Sequence, residues 1–331
     1  MNSSDVINTT HQVQLQARFV GAALGTFVGD TLGMPVEGWS RKRIKERFGW
    51  LTDLQPGRLP AGHYTDDTEM MIGLWETLVS CGNLDPAVAA ANFLRNYHPE
   101  RGYGGRIQGV MTRLAQGADW QDVGTDSFGN GSAMRVAPVG CFFSRNLDLV
   151  KHKALISCEI THKHPQARAG AVAAAVATAM ALEAGMSGRT KNPETFLPVI
   201  IELIRGLDEP SAQKMAALSD IQGGDPASLA EQITRMYRCN VMSMEAVPPA
   251  LASFWYTDSF SDAVLLAVNL GGDTDTIGAM AGAVAGAYYG VSSIPEEWLA
   301  GLENGPKGRD YVIDLATRAV TMSWSATVPQ V

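Results

Sequence analysis

The chain has 331 residues, with 34 Asp and Glu against 26 Lys and Arg, a formal net charge of −8 at pH 7 and a pI of about 5.3. That balance, without a long Lys/Arg run, excludes a general nucleic-acid or anionic-membrane binder. At 46% hydrophobic and 18% charged residues, the chain can bury a substantial core, which excludes wholesale disorder.

The polar N-terminus, Met1 to His11, lacks the apolar stretch of a signal peptide and reads as a flexible tail over residues 1–12. From Val13 to Gly29, Ala17, Val20, Leu24 and Phe27 keep helical spacing, while Gly21, Gly25 and Gly29 recur on another face. Glycine costs about 1 kcal/mol in a helix interior relative to Ala, so its repetition on one face needs a return. The same spacing at Gly278, Gly282, Gly286 and Gly290 supplies one: the two helices are expected to cross backbone to backbone and frame the active site. Asp30 to Trp39 reads as a loop, with Glu37 bounded by Gly and Pro. Arg41 to Arg47, the densest basic segment, reads as a solvated helix face. A helix from Asp67 to about Val79 turns Met70, Met71, Leu74, Trp75 and Leu78 inward, and Asp85-Pro86 caps another.

Two glycine-rich loops follow. Arg101-Gly102-Tyr103-Gly104-Gly105 precedes a short helix, and Ser127-Phe128-Gly129-Asn130-Gly131-Ser132 leads into one starting near Ala133. The free N–H groups of a helix start suit a phosphate, although a short glycine loop is more often an ordinary turn. Arg135 is expected to pair with a buried carboxylate in preference to a phosphate. His162 and His164 stand before Pro165; His162 is read as a hydrogen-bonding residue, toward substrate or toward backbone. The Ala-rich helix Gln166 to Ala184 suits a buried core better than a bilayer, so no membrane is expected.

Residues 186–247 are more polar and read as a peripheral helical segment, with helices near Thr195–Arg205 and Ser228–Arg238. Ser261 to Leu270, Asp275 to Tyr289 and Asp310 to Thr321 complete the helices. Almost no stretch alternates like a half-buried strand. The fold class is therefore all-α, one domain over residues 13–323 with a C-terminal tail at 324–331. Cys81, Cys141, Cys158 and Cys239 show no paired spacing, so neither a disulfide framework nor a zinc site is expected, and a reducing cytoplasm is the default location.

Chemistry concentrates in two clusters. Thr65-Asp66-Asp67-Thr68 and Gly271-Gly272-Asp273-Thr274-Asp275-Thr276 each set two carboxylates among hydroxyls at a helix start. Asp and Thr are favoured N-caps, and capping accounts for either cluster alone. One helix start needs one cap, however, and oxygen-only clusters suit hard divalent cations. If the four carboxylates converge, each adjacent pair about 4 Å apart repels by roughly 4 kcal/mol at an effective dielectric near 20. They would protonate or splay apart unless two divalent ions cancelled their charge. Glu37, the lone acid near the first cluster, is a candidate general acid/base, with an exposed loop glutamate as the plain alternative. No GxSxG or Walker-A loop is present, so neither serine nucleophiles nor P-loop chemistry has support.

The stretches GTFVGDTLGMPVE (Gly25–Glu37), YTDDTEM (Tyr64–Met70), GNGSAMRVAPVG (Gly129–Gly140), THKHPQA (Thr161–Ala167) and GGDTDTIGAMAGAVAGAYYG (Gly271–Gly290) together resemble the ADP-ribosylglycohydrolase family, that of the dinitrogenase reductase-activating glycohydrolase. They come in the family's order and span about residues 18 to 320. The resemblance implies an orthogonal all-α bundle with a central cleft holding two Mg²⁺ or Mn²⁺ ions. Thr65, Asp66, Asp67, Asp273, Asp275 and Thr276 would be the metal ligands, and Glu37, Asp66 and Asp275 the catalytic carboxylates. Gly102, Tyr103, Gly104, Ser127, Gly129, Asn130, Gly131, Ser132 and His162 would meet the ADP-ribose.

The implied reaction removes ADP-ribose from a modified protein. ADP-ribosyl-arginine is the favoured linkage, because the GNGSAMRVAP form of the loop is similar to the bacterial arginine-type enzymes. Serine-linked and O-acetyl-ADP-ribose are alternatives. A further one is an immunity protein that neutralises a cognate ADP-ribosyltransferase by contact.

Overall fold

The computed structural model describes the backbone of residues 3–325 and the side chains of residues 10–323. The regular elements of the described chain are helices. Its elements are α1 (Ser3–Gly33), α2 (Arg41–Phe48), α3 (Asp66–Cys81), α4 (Pro86–Asn96), α5 (Gly105–Ala115), α6 (Trp120–Val123), α7 (Ala137–Phe142), α8 (Leu147–Glu159) and α9 (Pro165–Met186). Then come α10 (Pro193–Arg205), α11 (Glu209–Ala216), α12 (Pro226–Met236), α13 (Ser243–Trp255), α14 (Phe260–Val268), α15 (Thr274–Tyr289), α16 (Glu296–Gly301) and α17 (Arg309–Ser325). Among the described residues the extended pairings are isolated bridges, Ser40 with Gly271, Thr125 with His162 and Gly129 with Met242. This is the all-α architecture the sequence predicts.

The glycine-bearing helices α1 and α15 form the axis, and they touch main chain to main chain. A Cβ at Gly25 would stand 2.1 Å from the Gly282 oxygen, one at Gly29 2.0 Å from that of Gly278, and one at Gly286 1.9 Å from that of Gly21. No side chain larger than hydrogen fits there, and the contact supplies the return that the glycines need. Gly290 is not part of this seam: it ends α15 with φ of 83°. The ladder instead extends the other way, to Gly33 on the Thr274 oxygen.

Where the sequence reading ends the first helix at Gly29, α1 continues to Gly33. The reason is Asp30, fully buried yet satisfied by donors from the start of α3, so the helix need not open to water. At its other end α1 begins at Ser3, inside the stretch expected to be a tail. Residues 1–2 and 326–331 of the two expected tails lie outside the described residues, and α17 runs through Ser325.

Around this axis, α9, α13 and α14 pack on α15, and α3 and α17 on α1. The Ala-rich α9 is buried along most of its length, as small side chains allow when neighbours approach from several sides. Between residues 186 and 247, α10 and α11 lie against α9, and α12 against α14. The helix expected near Ala133 starts at Ala137 instead, because Asn130 to Arg135 is taken up by turns in which the Asn130 carbonyl accepts the amides of Ala133 and Met134.

Candidate active site

Asp30 frees the start of α3 to carry chemistry. Its carboxylate accepts the backbone N–H of Thr65 at 3.0 Å, that of Thr68 at 3.2 Å and the Thr68 hydroxyl at 2.6 Å. Those amides would otherwise be orphans of the first turn. With Thr65 capping the Asp67 amide and Asp30 the others, the carboxylates of Asp66 and Asp67 are left to line a cleft.

The second cluster is held by the Gly271-Gly272 turn, where both residues take φ of 81°. A Cβ at Gly272 would lie 1.8 Å from the Cys239 oxygen, so only glycine fits. Gly272 accepts from Gly38 N at 2.7 Å and donates to the Trp39 oxygen at 2.8 Å, while Asp273 N donates to the Cys239 oxygen at 2.7 Å. The loop bearing Glu37 and the turn bearing Asp273 are thereby locked together.

The resulting cleft, of about 380 Å³, is lined by Glu37, Asp66, Asp67, Asp273, Asp275 and Thr276 on its acidic side. Carboxylate oxygens of Glu37, Asp273 and Asp275 lie within 4.8 Å of one another. Burial pushes Asp66 up to about 8 and Asp273 to about 6, with nearby acids adding to the shift of Asp66. Asp67 and Asp275 are raised for the same reason, each with neighbouring carboxylates behind it. Asp67 Oδ1 is buried without a hydrogen-bond partner. Crowded, desolvated carboxylates with an orphaned oxygen are a donor set that a hard divalent cation satisfies. Thr276 lines the cleft, whereas Thr65 stands behind it with its hydroxyl donating to Asp67 Oδ2 at 3.0 Å.

The opposite wall comes from the two glycine-rich loops and His162. Gly102 and Gly104 line the cleft, but Tyr103 turns inward and donates its hydroxyl to Glu69 at 2.7 Å. Ser127, Gly129, Asn130 and Gly131 also line it, whereas Ser132 is fully buried with its hydroxyl toward the Ala167 oxygen. The Asn130 amide donates to Asp273 Oδ2, tying this loop to the acids.

His162 packs against the loop's glycines: a Cβ at Gly131 would meet its Cε1 at 2.9 Å. Burial, aided by the charges of Arg135 and Arg106, lowers its imidazole to about 3, so the ring is neutral. Among the described residues Arg135 has no carboxylate partner, contrary to expectation. Its guanidinium donates to the Ser157 oxygen at 2.7 Å and to the Thr161 hydroxyl at 2.8 Å, and lies 4.7 Å over the Phe93 ring. The last carbonyls of α8 carry the partial negative charge that replaces the expected acid. Thr161 in turn meets His162 Nδ1 at 2.8 Å.

Three contributors have no mark in the sequence reading. Asp30 is one. Arg58 is another: it pairs with Glu37 and packs against Gly102, whose φ of 104° is a left-handed conformation that favours glycine. The third is Cys239 to Ser243, which binds both walls. Beyond the Cys239 carbonyl, the Val241 oxygen accepts Asn130 N and Ser243 N donates to the Phe128 oxygen, each at 3.0 Å. Cys239 adopts φ of 50°, a left-handed conformation taken by no other described non-glycine residue, and that signal shows only in the structure.

A family model described as ADP-ribosylglycohydrolase matches residues 11–327. The chain is 33% identical to "ADP-ribosylarginine hydrolase Tri1" of Pseudomonas putida, over 85% of this chain and 73% of that protein. It is 29% identical to mouse "ADP-ribosylhydrolase ARH3", over 85% and 86% of the two chains. A solved structure described as "ADP-ribosylglycohydrolase-related protein complex" superposes with a TM-score of 0.73 at 30% identity, covering 94% of this chain and 99% of that one. With the fold and nearly the whole length matched, the chain belongs to the ADP-ribosylglycohydrolase family.

Proposed function

We propose that this hydrolase cleaves the N-glycosidic bond between ADP-ribose and a protein arginine, with two Mg²⁺ or Mn²⁺ ions as cofactors. The observation that carries the reading is the convergence of Glu37 with the acids of two distant helix starts, one oxygen of Asp67 left orphaned. In this reading Asp66, Asp67, Asp273, Asp275 and Thr276 hold the cations, with Thr65 orienting Asp67. Bound there, the cations would orient the hydroxyls of the distal ribose and an attacking water.

The chain's own groups do the rest. Breaking the bond from the anomeric carbon to the guanidinium develops oxocarbenium charge, which the flanking carboxylates of Glu37, Asp66 and Asp275 stabilise. Glu37, half-exposed at the cleft edge, takes the proton of the water that adds to that carbon and passes it to the departing guanidine, which leaves as the arginine guanidinium. Gly102, Gly104, the Ser127–Gly131 loop and His162 receive the ADP-ribose. Arg135 donates to Thr161, whose hydroxyl is then free to donate to His162 Nδ1; this leaves the ring proton on Nε2 as a donor.

The arginine linkage is supported by the GNGSAMRVAP loop and by the name of the Pseudomonas relative. The four cysteines are free, as suits a reducing cytoplasm.

The test is release of free ADP-ribose from arginine-modified, serine-modified and O-acetyl substrates, by wild type and by Asp273→Ala, with excess Mg²⁺ or Mn²⁺. Arginine-specific release that falls at least a hundredfold in the variant is expected; equal release by both proteins overturns the reading. Protection against a cognate transferase by the inactive variant would instead mark the contact role of an immunity protein.

A further inference from the structure

On the other side of Glu37 the surface opens into a second cavity, of about 480 Å³. Glu37 lines both hollows, and Arg58, in the wall of the second, reaches to 3.6 Å from Asp275 in the first. The Glu37–Arg58 pair is thus a partition, with the acidic cleft behind it and the new cavity in front.

The lining of that cavity includes the aromatic Trp39 and Phe48 and the cationic Arg47 and Arg58, and Arg43 stands beside it against Trp39. Trp39 and Phe48 stack with ring centroids 6.3 Å apart and planes 25° from parallel. The Arg43 guanidinium lies 3.7 Å over Trp39, and that of Arg47 5.7 Å from the Phe48 ring. Helix α2 supplies Arg41, Lys42, Arg43, Lys45 and Arg47 against a single acid, Glu46, which Lys42 meets at 3.7 Å. Arg43, Lys45 and Arg47 have no carboxylate partner among the described residues. In a chain of net charge −8 this is a local reversal of sign. The face is also coupled to the chemistry, since the Trp39 carbonyl accepts from Gly272 beside Asp273.

We infer that this cavity binds the polypeptide carrying the ADP-ribosyl group and selects an acidic residue beside the modified one. The inference rests on the proposed reaction. With ADP-ribose in the cleft and its anomeric carbon at the acids, the departing side chain crosses the Glu37–Arg58 partition and its polypeptide meets the Trp39–Phe48 wall. Guanidinium groups there recognise carboxylates by charge-assisted hydrogen bonds, and the aromatic faces cover the intervening apolar surface.

The test compares kcat/KM on three substrates: ADP-ribosyl-arginine itself, a peptide with glutamates flanking the ADP-ribosylated arginine, and the same peptide with lysines. Wild type should prefer the glutamate peptide over the lysine peptide by about tenfold at 50 mM NaCl, the size of a few exposed ion pairs, and by much less at 500 mM. The double variant Arg43→Glu with Arg47→Glu, both on the exposed face of α2, should reverse the preference and leave cleavage of the amino-acid substrate unchanged. Its melting temperature checks that the helix persists. Cleavage of both peptides at the same rate, with the amino acid also cleaved, overturns this inference and leaves the proposed reaction standing. Failure to cleave any of the three overturns the proposed reaction and this inference with it.

Discussion

Nη1 of Arg58 lies 3.6 Å from Oδ2 of Asp275 while pairing with Glu37, so a guanidinium spans the mouth of the acidic cleft. Glu37, Asp66, Asp30 and Asp275 all act to keep that guanidinium charged. Arg58 thereby offsets part of the repulsion that the crowded carboxylates exert on one another.

Arg58→Met should therefore destabilise the metal-free protein more than the metal-loaded one. The pair is partly exposed, which limits its worth to about 1 kcal/mol. Melting in EDTA should drop by a few degrees, and saturating Mg²⁺ or Mn²⁺ should recover most of it. Equal drops with and without metal would show that Arg58 acts on the fold and not on the charge of the cleft.

The acids themselves predict a pH dependence. Asp66 is raised to about 8 and Asp273 to about 6, chiefly by burial, whereas each titrates near 4 in the unfolded chain. Between those limits the folded chain holds protons that the unfolded chain has released. The stability these groups contribute is thus complete below about pH 4 and is lost as pH climbs through 6 and then 8. In EDTA the melting temperature should fall from pH 5 to pH 8.5. Asp66→Asn should flatten the upper part of that fall, and saturating cation should abolish most of it. A metal-free profile that rises with pH would contradict the burial of these carboxylates.

The helix seam and the acidic clusters were legible because each carries a local repeat. Gly21, Gly25 and Gly29 keep the spacing of one helix face, and Asp66-Asp67 sets two carboxylates at a helix start that needs one cap. Asp30 and Arg58 were not, because their roles depend on where remote segments land: Asp30 on Thr65 and Thr68, Arg58 between Glu37 and Asp275. Helix α13 has no counterpart in the sequence reading, and its Pro248-Pro249 disfavours a helix interior. Its burial among α9, α14 and α15 overrides that propensity. The Ser127–Ser132 loop was recognised by its glycines, yet its inward members were not, since nothing local separates Ser132 from Ser127.

Asp30→Ala tests whether the cap delivered from α1 orients the cleft. Removing the carboxylate leaves the buried amides of Thr65 and Thr68 without their acceptor, at a cost of about 1–3 kcal/mol. Asp30→Asn keeps an accepting oxygen and should lose less. Calorimetric titration with Mn²⁺ should show weaker binding by Asp30→Ala than by Asp30→Asn. If both variants bind the cation as wild type does, Asp30 serves the fold alone.

One substitution, glycine to alanine, should have opposite signs at two helical positions. At Gly282 the new Cβ would stand 2.0 Å from the Gly25 carbonyl oxygen, and both sides of that contact are main chain. No rotamer change relieves it, so α1 and α15 must separate along their seam, at a cost of about 3 kcal/mol or more. At Gly109, inside α5 and exposed, nothing lies within 4 Å of the added carbon. There the change removes backbone freedom from the unfolded chain and adds helix propensity, a gain of about 0.5–1 kcal/mol. Urea midpoints of the two variants should move in opposite directions from wild type. If Gly282→Ala melts with wild type, the two helices cannot be in backbone contact, and the framing of the cleft by Gly33 and Thr274 at the end of that seam fails too.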